Sequence, residues 1–102
     1  MSERRNHERH LIRRFALLKL SNGELIEGET QDMSIDGAFI ECDPDRELQE
    51  GDICTITLIL EDDESISTEI YGSIAHRTEE GVGCNFLKIN SVYYQFMSEY
   101  FE

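Results

Sequence analysis

A chain of 102 residues with 39% hydrophobic side chains has room for one domain built on a single modest core. Its formal charge of −13, from 9 basic and 22 acidic residues, excludes a general binder of nucleic-acid backbones, which needs many lysines and arginines to neutralise phosphates. No apolar run approaches the ~20 residues of a membrane span, and the charged N-terminal stretch lacks the apolar segment of a signal peptide. A cytoplasmic protein without membrane insertion is expected.

The charge is unevenly spread. Residues 1–14 hold five arginines against Glu3 and Glu8, a net +3, whereas residues 15–102 hold four cations against twenty acids, a net −16. An all-arginine segment on an acidic body suits a small anion, because the body repels a long polyanion. Low hydrophobicity and like charges predict a flexible, ligand-gripping arm over 1–14. Phe15–Leu20 follows as a short apolar strand. Ser21-Asn22-Gly23 is a tight hairpin signal, since Asn-Gly tolerates positive φ. Glu24–Gln31 reads as the return strand, with Gly28 marking a bulge or bend. Asp32–Gly37 has the composition of a turn, and Ala38–Cys42 is a third strand leading to the only proline, Pro44.

Leu48–Asp52 is a further turn. The β-branched run Ile53–Leu60 is a strong strand, and Glu61–Glu64 an acidic loop. Ile66–Ala75 alternates, with Ile66, Thr68, Ile70, Gly72 and Ile74 on one face. Glu79-Glu80-Gly81 turns the chain into Val82–Ile89. Six short strands with glycine-containing turns predict a small antiparallel barrel or sandwich. The period then changes: Asn90 or Ser91 caps an amphipathic helix of about three turns over 91–102. Its aromatic face, with Val92, Phe96 and Tyr100 flanked by Tyr93, Met97 and Phe101, suits packing on the barrel or a partner contact. Cys42, Cys54 and Cys84 are far apart and odd in number, so neither a disulfide framework nor a zinc site is expected. His7, His10 and His76 form no metal-ligand cluster in the sequence.

Two elements carry chemistry. Arg5 and Arg9 form Arg-x-x-x-Arg. Asp32, Ser34 and Gly37 form Asp-x-Ser-x-x-Gly, beginning 23 residues after Arg9. One hairpin separates them, so the arm can fold back onto the second element. Taken singly, the arginines read as a solvated tail and Asp32–Gly37 as an ordinary turn. No catalytic signature of the serine-elbow, phosphate-loop or zinc-protease kind is present.

In order, the fragments Arg4-Arg5-Asn6-His7-Glu8-Arg9, Asp32–Gly37, Gly51 before a long strand and Gly81-Val82-Gly83-Cys84-Asn85-Phe86 resemble a PilZ domain, the bacterial receptor module for cyclic di-GMP. The resemblance covers nearly the whole chain. It implies a six-stranded antiparallel β-barrel over 15–102 with its C-terminal helix, and a stand-alone receptor with no catalysis and no cofactor. The ligand, cyclic di-GMP, is then captured between the arginine arm and the barrel face. Guanidinium groups present forked donors that match phosphate or the O6 and N7 of guanine, and they stack on bases. This suits Arg5 and Arg9. Asp32 accepts from the N1–H and N2–H of guanine, Ser34 both donates and accepts, and Gly37 allows close approach and unusual φ. Arg4, Arg13 and Arg14 are candidates for additional ligand contacts, Arg13 or Arg14 to a phosphate, with a surface role as the alternative.

The function implied is an adaptor whose arm orders on the ligand and signals to a protein effector, as a monomer or weak dimer without nucleic-acid polymers as partners. The alternative is a PilZ-like interaction adaptor with weak or no nucleotide binding. A single-strand nucleic-acid binder lacks its basic, aromatic-lined groove.

Overall fold

The computed structural model describes residues 8–43, 48–61 and 66–100. Six strands form one closed antiparallel barrel: β1 Phe15–Leu20, β2 Leu25–Ser34, β3 Gly37–Cys42, β4 Ile53–Ile59, β5 Ser67–Arg77 and β6 Gly81–Lys88. Their order around the wall is β1-β2-β3-β6-β5-β4, with β4 closing on β1. The helix α1, Ser91–Ser98, follows. Closure leaves neither long edge of the sheet unpaired.

Local chemistry sets the joints. Gly23 takes a φ of 95° between β1 and β2, and Asn22 Oδ1 accepts from the Glu24 amide at 2.9 Å. Gly51 takes a φ of 92° in the turn that leads into β4. Such positive φ values are open to glycine and costly for most other residues. Along β4, Cys54, Ile56 and Leu58 point into the core and Thr55 and Thr57 lie on the wall's outer side, the period-2 pattern of a half-buried strand. Leu18, Ile40, Ile56, Leu58, Ile70, Ile74 and Val82 fill the interior together with the thiols Cys54 and Cys84. Cys54 and Cys84 share a hydrogen bond that, with burial, pushes the Cys84 thiol well up. All three cysteines are free.

Helix α1 is shorter than its aromatic pattern suggests. It ends at Ser98, and Tyr100 lies in the turn that follows; Phe101 is outside the described residues. Asn90 is its N-cap, accepting from the Tyr93 amide at 2.9 Å. The same side chain donates to Thr68 Oγ1 at 2.7 Å and Glu69 O at 2.9 Å, so one residue starts the helix and fastens it to β5. Tyr93 and Met97 then enter the barrel core, while Val92 and Tyr94 face solvent. The Tyr93 ring meets Phe86 edge-on, 5.2 Å between centroids.

The Tyr93 hydroxyl donates to Ser34 O at 2.5 Å, across 59 residues. Burial raises its pKa above the ordinary 10.0; the Arg9 charge opposes this and Asp36 adds to it. The folded state therefore holds this proton more tightly than the unfolded chain does. Stability from this group is complete below about pH 10 and falls as pH climbs towards the folded value. Tyr93→Phe, which leaves the Ser34 carbonyl without that donor, is expected to cost about 1–2 kcal/mol at neutral pH. The gap between the two proteins should narrow in alkali, as read by urea unfolding from neutral pH to about pH 11.

Candidate functional site

The wall of the barrel carries one irregularity at the predicted motif. In the β2–β3 pairing the register slips between Thr30 and Asp32, so that Gln31 is an extra residue. The bulge is here and not at Gly28. Gly28 answers a different need: a Cβ there would stand 2.4 Å from Glu41 O of the neighbouring strand. The slip has a direct consequence for side-chain direction. Before it, Ile26 and Thr30 face the core side; after it, Met33 does. Asp32 is thereby aimed at the outer face instead of into an apolar interior, and Ser34, on the same side of the strand, is fully buried against Arg9. Asp32 and Ser34 are not in a turn, as their composition suggests, but in the last residues of β2; the turn is confined to Ile35 and Asp36.

Residues before β1 continue along β2. The Thr30 amide donates to Arg14 O at 2.8 Å. Thr30 Oγ1 donates to Ile12 O at 2.7 Å and accepts from the Arg14 amide at 2.8 Å. His10 and Met33 exchange two backbone hydrogen bonds, at 2.8 and 2.9 Å. This pairing sets Arg9 beside the end of β2. Arg9 Nε lies 3.1 Å from Asp32 Oδ1, and its NH1 donates to Ser34 Oγ at 3.3 Å. The Nε contact is an ion pair without an aligned hydrogen bond. Asp32 Oδ1 is buried and has no hydrogen-bond donor among the described residues. Buried carboxylate oxygens without a donor are costly, which marks this atom as a receiver for one.

Ser34 is held firmly. Its hydroxyl donates to Asp36 Oδ1 at 2.7 Å, and its carbonyl takes the Tyr93 hydroxyl. Gly37 lets β3 approach β6, since a Cβ would stand 2.4 Å from Cys84 O. The expected unusual φ is absent at Gly37; only close approach is at work. Arg13 pairs with Glu41, NH2 to Oε1 at 3.0 Å. Arg14 Nε donates to Leu60 O at 3.1 Å, and its guanidinium covers the Phe96 ring at 5.5 Å. Arg14 is thus occupied in fastening the N-terminal segment to the helix. Arg4 and Arg5 lie outside the described residues.

The structure adds residues that the motifs did not single out. Thr30 pins the segment bearing Arg9, Tyr93 holds the backbone of Ser34, and Glu41 holds Arg13. A threonine in a strand gives no sign of this, since its partners come from another part of the chain.

The PilZ domain profile matches residues 3–101. The chain belongs to the PilZ domain family. PilZ domains are ligand-binding receptors of the cyclic di-GMP system. No curated protein sequence matches the chain. Among solved structures, the Bacillus subtilis inhibitor of motility, MotI/DgrA, has the same fold, with a TM-score of 0.76 at 14% identity over 96% of this chain. This chain spans 49% of the MotI/DgrA chain. No helix among its described residues is long and apolar enough to cross a membrane.

If Thr30 is what docks the segment before β1, Thr30→Val removes one donor and one acceptor at nearly constant shape. Hydrogen exchange at the Arg14 amide is then expected to accelerate about tenfold, with exchange in the β4–β5 pairing unchanged.

Proposed function

We propose that this PilZ domain is a cyclic di-GMP receptor whose site is the outer face around Asp32 and Ser34, closed by Arg9 and Arg5. The supporting observation is the Arg9–Asp32–Ser34 cluster, with Asp32 Oδ1 buried and lacking a hydrogen-bond donor. A guanine edge supplies two aligned donors, N1–H and N2–H, which Arg9 in its present pose does not. Binding then exchanges partners. The base takes Asp32, and the Arg9 guanidinium is released to a phosphate or to the O6 and N7 edge of a guanine. Arg5 approaches from the other end of the arm, and Arg13 and Arg4 add phosphate contacts.

The arm is the moving part of this scheme. Residues 10–14 are already fastened to β2, so the ligand has to order less of the chain than a free tail requires. The closed arm, the ligand and the barrel rim form a surface that a protein effector reads, and the domain itself performs no catalysis. The acidic body supports the choice of a small ligand with two phosphates over a polymer, because its −16 repels extended polyanions.

Isothermal titration calorimetry tests this. Cyclic di-GMP is expected to bind the unmodified chain, and Arg9→Ala or Arg5→Ala to cost about 2–3 kcal/mol each, a loss of roughly thirty- to a hundred-and-fifty-fold in affinity. Asp32→Asn is expected to narrow the preference for cyclic di-GMP over cyclic di-AMP. No heat with the unmodified chain leaves the adaptor reading without nucleotide. Equal losses for both dinucleotides remove guanine recognition from Asp32.

A further inference from the structure

The row of residues that contains Asp32 continues around the barrel. Asp32 on β2 is paired with Phe39 on β3, Phe39 with Gly83 on β6, and Gly83 with His76 on β5. Phe39 and His76 meet across the glycine, with ring centroids 6.0 Å apart and planes inclined by 28°. Gly83 makes this possible: a Cβ there would stand 2.3 Å from His76 Cε1. The imidazole thus lies on bare backbone and braces one side of the phenyl ring. Phe39 is also the register partner of Asp32, which lies one strand spacing of about 4.8 Å away on β2.

Phe39 also walls an open groove of about 520 Å³, lined with Gln31, Thr78, Glu79 and Glu80. That is within the rough range of small-ligand sites, about 300–1,000 Å³. Its lining chooses between the two parts of a nucleotide. Glu79 and Glu80 repel phosphate and accept N–H groups, while Phe39 offers a flat apolar face. This lining, which adjoins Asp32 through Gln31 and Phe39, suits a base better than a phosphate. Gln31, the bulged residue, is held by its amide donating to Glu41 Oε2 at 3.2 Å, which keeps it at the groove's edge.

We propose that Phe39, braced by His76 over Gly83, is the stacking wall for one purine base of a ligand held at Asp32 and Ser34; this rests on the cyclic di-GMP reading above. Asp32 holds the base by its edge and Phe39 holds it by its face. The pairing of Asp32 with Phe39 across adjacent strands makes the two contacts simultaneous for one rigid base.

The chain contains no tryptophan, so Phe39→Trp introduces a single indole emitter at the wall. On titration with cyclic di-GMP that emission is expected to be quenched by the stacked guanine, because an indole stacks as a phenyl ring does. Tyr71→Trp, five residues along β5 from His76, is the control and should stay bright. Phe39→Leu keeps the apolar bulk without the π-face and is expected to raise Kd about tenfold, with its urea midpoint close to that of the unmodified chain. Binding by the unmodified chain with an unquenched indole at 39 overturns the stacking wall alone, as does Phe39→Leu binding as tightly as Phe. Equal quenching at 39 and 71 also overturns it. Absence of binding by the unmodified chain removes the cyclic di-GMP reading and the wall together.

Discussion

Between Thr30 and Asp32, β2 contains one residue more than β3, and that extra residue decides which side of the barrel wall carries charge. Strand side chains alternate strictly, so an unbroken β2 that directs Ile26 and Thr30 towards the core would direct Asp32 there as well. A carboxylate in that interior, among Leu18, Ile40 and Ile56, has no cation to meet. The slip turns Asp32 outward, leaves Met33 to fill the core and brings Ser34 under Arg9. Each part of the site depends on this one step in register, including the pairing of Asp32 with Phe39.

Around that step the N-terminal segment, the motif and the terminal helix hold one another. Arg14 lies over Phe96, the rings of His10 and Tyr100 are 5.7 Å apart, and Tyr93 donates to Ser34 O. Thr30 ties the segment to β2 from the inside. The helix is thus a fastening shared by arm and site, beyond its contribution to the core. The electrostatics agree with this layout. Arg13 and Arg9 each stand against an acid of the wall, so their charge is directed to one face of an otherwise strongly acidic body.

The strands were legible wherever local chemistry and burial agree. Alternation along Ile53–Ile59, the Asn22-Gly23 turn and the Asn90 cap all act over a few residues, and the fold uses them as their chemistry suggests. Departures come from distant partners. Asp32 and Ser34 favour turns on their own, but pairing with Phe39 and Gly37 keeps them extended. Gly28 looked like the bulge, yet its missing Cβ serves contact with Glu41, and the bulge moved to the residue before Asp32. Arg14 resembled the other arginines of the arm until Leu60, 46 residues away, and Phe96 occupied it. The helix ended sooner than its aromatic spacing implied, because Tyr100 packs beside Phe96 and His10 from a turn. Of the candidate ligand contacts, Arg9, Asp32, Ser34 and Gly37 could be placed together; Arg5 lies outside the described residues.

In the proposed exchange a guanine nucleotide takes over Asp32 and releases Arg9. Proton–nitrogen NMR spectra that include the arginine Nε–H region, followed while cyclic di-GMP is added, address it most directly. The Arg9 Nε–H and the amides from Asp32 to Gly37 are expected to move together and saturate with the ligand, while the amides of Ile53 and Thr55 on β4 stay in place. An Arg9 Nε–H signal that does not move while the ligand binds, or shifts confined to strands away from Asp32, would contradict it.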